Sequence, residues 1–168
     1  MNTFNKNFIF SLTSVRYDFF MEKDFESWNK LKSEIDLIDT GQAPFCWPKE
    51  LWICSIGVNV GSEQNGTGLK FSRPVLVLKV FNRETFWGIP ITTQKCHNKP
   101  HIKFNLGGVD QCALISHIRL FSVKRLERRI TIMPDNLFEE LTEVFISLLP
   151  KNNLPHTGEV VAGTIQVS

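Results

Sequence analysis

Three residues of this chain have the types needed for chemistry on a phosphodiester: Glu63, Arg73 and Thr92. Glu63 sits in Gly61-Ser62-Glu63-Gln64, near the start of a polar, glycine-rich stretch. Arg73 stands where that stretch gives way to the dense apolar run Pro74-Val75-Leu76-Val77-Leu78. Thr92 and Thr93 close the next apolar run, Ile89-Pro90-Ile91. An arginine fork is planar, permanently charged and bidentate, which suits a phosphate. A threonine hydroxyl can donate to the same group. Glu63 can hold Arg73 in place or take a proton from a nucleophile. RNA supplies its own nucleophile, the 2′-OH. The protein then has only to orient it, stabilise charge on the phosphorane and help protons move. Spacing alone favours a plainer reading, in which Arg73 is a strand-end surface arginine and Thr92 an ordinary strand residue.

The elements that must position these residues are mostly short strands. Leu51–Ile56 is the first. Pro74–Val80 has the unbroken apolar texture of a strand buried on both faces. Pro74 fits only at its first position, where the missing N–H does no harm. Thr85–Ile91, His101–Leu106 and Gln111–Leu120 follow, then a turn over Ser122–Leu126 and a last strand near Arg129–Met133. If consecutive strands are antiparallel and joined by short turns, Arg73 at the start of one lies beside Thr92 at the end of the next. Two helices flank the strands. After a cap at Asp24, Phe25, Trp28, Leu31, Ile35 and Ile38 recur at helical spacing until about Thr40-Gly41. Near Pro134-Asp135 a second begins, with a stripe of Leu137, Phe138, Leu141, Val144, Phe145 and Leu148, and Pro150 stops it. Short strands with one long loop, closed by a helix, predict a mainly β fold, a small curved sheet or barrel.

The wider composition is that of an ordinary globular protein. In 168 residues, 42% are hydrophobic and 21% charged, enough for one domain with a real core. A net charge of +2 is too small to identify a nucleic-acid binder, so charge placement matters more than the sum. The cysteines, Cys46, Cys54, Cys96 and Cys112, form no CxxC, and no histidine pair has metal-ligand spacing. Reduced thiols in a cytoplasmic protein, with no metal and no cofactor, are expected. No segment approaches the ~20 apolar residues needed to span a bilayer. Residues 1–20 read as a disordered leader or an over-extended start, because Met21 directly precedes the helix signal. Residues 21–49 are helix and linker, 50–150 the barrel, and 151–168 a loose tail in which Val160-Val161 and Ile165–Val167 could pair with an edge.

The ordered motifs resemble the PemK/MazF family of toxins. They are Glu50-Leu51-Trp52, Gly61-Ser62-Glu63-Gln64, Arg73-Pro74-Val75-Leu76-Val77-Leu78, Ile89-Pro90-Ile91-Thr92-Thr93-Gln94, and Ala113–Arg119 with Lys124-Arg125-Leu126. The resemblance runs from about Glu50 to Pro150. It implies an SH3-like small barrel with a C-terminal helix, here with an added N-terminal helix, and usually a homodimer. It also implies a growth-inhibiting endoribonuclease, an mRNA interferase that cuts single-stranded RNA without metal. The products would be 2′,3′-cyclic phosphate and 5′-OH ends, and a cognate antitoxin would block the RNA groove. By position, Arg73 would stabilise the transition state, Thr92 would assist at the phosphate, and Glu63 would be a supporting acid or base. Gln64, Lys70, Phe71, Thr93, Gln94, His117 and Arg119 are the candidate RNA contacts, with Phe71 the best placed to stack on a base.

Four departures stand out. Asn65–Ser72 lengthens the loop before Arg73. His117 stands where many members have glutamine; it can bond RNA, shuttle protons, or simply bond to a neighbour. The N-terminal helix has no place in the minimal fold and would cover a barrel edge, aid dimerisation or meet the antitoxin. The tail after Pro150 has no counterpart. Two basic groups, Lys70, Arg73 and Arg83, then Arg119, Lys124, Arg125, Arg128 and Arg129, suit a phosphate backbone or simply solvate a surface. Two rivals to an enzyme follow. One is a catalytically inactive binding module on the same fold, acting on a protein or nucleic acid. The other is a DNA- or RNA-binding adaptor working through the second basic group.

Overall fold

The apolar run after Arg73 becomes the centre of the molecule. The structure is a computed structural model and describes residues 23–94 and 101–150. The run forms β2 (Ser72–Val80), flanked by β1 (Glu50–Ser55) and β3 (Thr85–Thr92). Val75 and Val77 face one core with Trp52, Cys54, Phe86 and Phe121. Leu76 and Leu78 face a second with Leu51, Ile89, Ile91 and Phe104. Alternate side chains of a strand point to opposite faces, so two-sided burial requires the continuous apolar sequence seen here.

The remaining strands are β4 (Ile102–Leu106), β5 (Val109–Ala113), β6 (Arg119–Ser122) and β7 (Leu126–Ile132). The order is β4-β5-β3-β2-β1-β7, with β6 also pairing to β3. Every pairing is antiparallel. Strand β3 serves two neighbours on one side: Thr85–Gly88 pair with β6, and Ile91 and Thr92 with β5. Splitting its partners this way curls the sheet on itself, as a small barrel requires. The helix α2 (Asp135–Ser147) closes the second core with Leu141, supported by Leu137, Phe138, Val144 and Phe145.

The expected strand Gln111–Leu120 is not continuous. It breaks into β5, a 3-10 turn at Ile115–His117, and β6. The Leu114 N–H donates to the Pro90 carbonyl at 2.9 Å, and the His117 N–H to the Leu114 carbonyl at 2.9 Å. The chain therefore turns a corner while Ile115 stays fully buried. The N-terminal helix α1 spans Phe25–Asp36, shorter at its end than the apolar spacing suggests. Asp24 caps it, accepting the Ser27 N–H at 2.9 Å. Of its stripe Trp28 is buried, Leu31 and Ile35 are half-buried, and Phe25 and Ile38 are exposed. Cys46 and Cys54 are free, buried thiols, and burial pushes Cys54 up to about 12. Among the described residues no helix is long and apolar enough to cross a membrane. The leader, Cys96 and the strand-like parts of the tail lie outside the described residues.

One buried acid ties β1 to its surroundings. Glu50 accepts the Trp47 N–H and the Trp52 indole N–H, each at 2.9 Å, and pairs with Arg129 Nη1 at 2.7 Å. Burial by itself would raise its pKa, but the bonds from Arg129, Trp47 and Trp52 outweigh it and hold the carboxyl below its ordinary value. Glu50→Ala strands the buried Trp52 indole N–H and the part-buried Trp47 N–H and should cost about 1–3 kcal/mol in urea unfolding. A depressed carboxyl contributes stability above its ordinary pKa and loses it as pH falls through that value and below. The acid limb of the stability profile should therefore flatten in Glu50→Gln; an unchanged limb would refute the assignment.

Candidate phosphate site and its loop

The β2–β3 register decides which residues meet. Val75 pairs with Pro90, and the same register carried two residues outward sets Arg73 opposite Thr92. Arg73 Nη1 lies 3.5 Å from Thr92 Oγ1, and its Nε donates to the Asn65 carbonyl. Arg73 is half-buried and Thr92 is buried. Burial pushes the Arg73 pKa down from its ordinary value, the mark of a desolvated cation. Among the described residues no carboxylate forms an ion pair with it. Thr92 Oγ1 also accepts the Gln94 N–H at 3.1 Å, which fixes the chain as it leaves β3.

Two grooves open along β3 on either side of Thr92 in the chain, and neither Arg73 nor Thr92 itself lines them. One, of about 390 Å³, is lined by Ser62, Glu63, Gln64, Pro90, Ser116, His117, Ile118 and Arg119. The other, of about 620 Å³, is lined by Thr93, Gln94, Lys103, Phe104, Asn105, Asp110, Gln111 and Cys112. Strand β3 runs from the first to the second, and Thr92 lies between Pro90 and Thr93. Six of the ten candidates therefore border the grooves: Glu63, Gln64, Thr93, Gln94, His117 and Arg119.

Their partners differ from simple expectation. Glu63 does not hold Arg73: its Oε2 accepts the Val60 N–H at 3.3 Å, and its charge acts on Arg119. Gln64 Nε2 donates to the Asn65 carbonyl at 3.1 Å, sharing that acceptor with Arg73. Arg119 is committed inward, to Asn59 Oδ1 at 3.1 Å and the Ile56 carbonyl at 2.7 Å, with its guanidinium over the Phe121 ring. His117 stands beside His101, ring centroids 6.0 Å apart. Among the described residues His101 Nδ1 is buried without a hydrogen-bond partner. Burial first, and the neighbouring His117 second, push the His101 pKa below its ordinary 6.5.

Two candidates lie elsewhere. Lys70 pairs with Glu127 at 3.3 Å, and Phe71 packs edge-on against Trp28 at 5.8 Å. Arg83 is in the β2–β3 turn, at the end of β2 remote from Arg73. The second basic group is also largely engaged. Arg125 donates to the Ser55 carbonyl at 3.0 Å and lies over Trp28, Lys124 donates to the Asp36 carbonyl at 2.8 Å, and Arg129 holds Glu50. These contacts leave little for an adaptor working through that group alone.

The residues that sequence reasoning missed are in the long loop. Asn59 donates its backbone N–H to Asn65 Oδ1 and its Nδ2 to the Gln64 carbonyl, both at 2.7 Å. Asn65 in turn holds Arg73. Composition marks these asparagines only as loop residues.

A MazF structure (Form-I) from Deinococcus radiodurans matches with a TM-score of 0.51 and 22% identity, covering 64% of this chain and 96% of that one. An endoribonuclease from mycobacterial species, solved in complex with its cognate antitoxin, matches at 0.48 and 13% identity, covering 67% and 98%. No curated protein matches the chain by sequence. The first likeness identifies the fold as MazF-like. Residues 48–149, more than half of the chain, match a family whose description agrees with that fold. The chain belongs to the PemK-like, MazF-like toxins of type II toxin–antitoxin systems.

Proposed function

We propose that the protein is a sequence-specific endoribonuclease that cuts single-stranded RNA without a metal. The 2′-oxygen attacks the adjacent phosphorus while the bond from phosphorus to the 5′-oxygen breaks. The 2′-OH proton passes to a base, and the departing 5′-oxygen takes up a proton. The products are a 2′,3′-cyclic phosphate and a 5′-OH. One observation carries the reading: a half-buried Arg73, without an acid partner among the described residues, turns toward Thr92, whose chain neighbours Pro90 and Thr93 line two grooves. A cation so placed gains most from an anion brought in from outside, and more as negative charge builds on that anion.

In this reading Arg73 stabilises the phosphorane and Thr92 donates to the same oxygens. Gln64, Thr93, Gln94 and His117 contact the RNA along the grooves, and Arg119 acts by holding the loop. Glu63 or His117 serves the proton transfers. Lys70 and Phe71 drop out of the RNA-contact set, because Glu127 and Trp28 already engage them. A homodimer, a cytoplasmic location and a cognate antitoxin that covers the groove accompany the reading.

Arg73→Ala should lower the cleavage rate by about 10²–10³-fold in excess EDTA, with product ends mapped on a long RNA. Arg73→Lys should recover only part, because an ammonium lacks the fork. Full cleavage by Arg73→Ala would sink the assignment. No cleavage of a varied RNA by the folded, antitoxin-free wild type would instead favour the binding module.

A second prediction concerns His101. Its folded pKa lies below 6.5, so between the two values the unfolded chain binds a proton that the native state refuses. Stability should be full above pH 6.5 and fall as pH drops through that value toward the folded one. His101→Gln should remove that slope in urea titrations run across the window. Retention of the whole slope would show that another group causes it.

A further inference from the structure

We propose that the N-terminal helix α1 is a clamp on the active-site loop, with Lys23 and Trp28 as positioning residues for Arg73. The inference rests on the RNA-cleavage reading for its catalytic consequence.

Lys23 lies immediately before the helix cap. Its Nζ donates to the Asn59 carbonyl at 2.6 Å and to the Gly61 carbonyl at 2.9 Å. These carbonyls belong to the segment whose other groups hold Asn65. A relay follows: Lys23 fixes the Asn59 carbonyl, the Asn59 N–H fixes the Asn65 side chain, and the Asn65 carbonyl receives Arg73 Nε. Charge-assisted bonds are the stronger kind, so a lysine on two loop carbonyls is a substantial restraint.

Trp28 grips the loop near its two ends. Its indole meets the Phe71 ring at 5.8 Å and underlies the Arg125 guanidinium at 5.3 Å. It also presses on Gly57, where a built Cβ would lie 2.3 Å from the indole and φ is +89°. Only glycine both allows that contact and adopts that backbone without strain. The loop ends are tied to each other as well: the Gly57 N–H donates to the Phe71 carbonyl at 3.0 Å, and the Gly66 N–H to the Gly57 carbonyl at 2.8 Å. One helix thus touches the loop near both ends and at the turn that carries Glu63. The helix lies outside residues 48–149, the part matched by the family.

The alternative is that α1 merely adds packing. Three variants separate the two. Lys23→Ala removes both bonds without opening a core, Lys23→Arg restores a cation, and Lys30→Ala alters an exposed lysine of the same helix as a control. The clamp predicts about tenfold faster amide exchange at Asn59 and Gly66 in Lys23→Ala, with the melting temperature little changed. It predicts a kcat about tenfold lower with KM within about twofold, as for lost positioning rather than lost binding. Lys23→Arg should recover most of both effects, and Lys30→Ala should match wild type. Unchanged loop exchange in Lys23→Ala would overturn the clamp, and so would faster exchange with unchanged kcat. If wild type cuts no RNA, the cleavage reading fails separately. The Arg73 Nε–H signal in nitrogen-resolved NMR then decides: slow exchange in wild type that is lost in Lys23→Ala sustains the positioning, and equal exchange rejects it.

Discussion

Strand β2 is buried on both faces, and that constraint governs the rest of the molecule. Its odd residues Val75 and Val77 belong to one core and its even residues Leu76 and Leu78 to the other. A slip of one residue would exchange the two sets and mismatch both cores, so the register with β3 is strongly specified. The same register, continued past the core, sets Arg73 against Thr92. A charged group inside the run would be fully desolvated on either face. At the mouth of the strand it is desolvated only in part, which strengthens its field without forcing an internal counter-ion. The placement of the cation is thus a consequence of the core.

This explains which features were legible in the sequence. The two-sided strand could be read because its apolar run is continuous, and Arg73 with Thr92 because antiparallel pairing needs only strand ends. Both helices could be read from their spacing. The corner at Leu114–His117 could not, because Cys112 to Ile115 is apolar and buried throughout, and such a run looks the same in a strand or a turn. What decides it is a backbone bond to Pro90, a residue far away in sequence.

Lys70 and Phe71 show a different limit of sequence. They adjoin Arg73 in sequence, yet neither joins it in the site. Thr67 and Ser72 exchange backbone hydrogen bonds at 3.0 Å, which makes the segment between them a tight turn. Phe71 within that turn has φ +48°, an unusual left-handed backbone for a bulky residue. The turn carries Lys70 to Glu127 and Phe71 to Trp28, while Arg73 starts the strand. Proximity along the chain carries little information across a backbone reversal. The helix α1 shows the complementary case: its spacing was plain, but its target was not, since only Trp28 of the stripe becomes buried.

The arginines divide by the same physics. Arg119 and Arg125 are surrounded by carbonyls and rings, and their charge is spent holding the fold. Arg73 has one carbonyl and one hydroxyl, both neutral. Had Glu63 paired with Arg73, the ion pair would have neutralised the field that the proposed site would offer a phosphate, and a phosphate would have had to displace a carboxylate. The loop prevents this by turning Glu63 Oε2 onto the Val60 N–H, where its charge acts on Arg119. The acid lines the groove, and among the described residues no carboxylate pairs with the cation beside Thr92. Separating the two charges requires a loop of defined shape, and that shape depends on Asn59 and Asn65 as much as on any residue that would touch RNA.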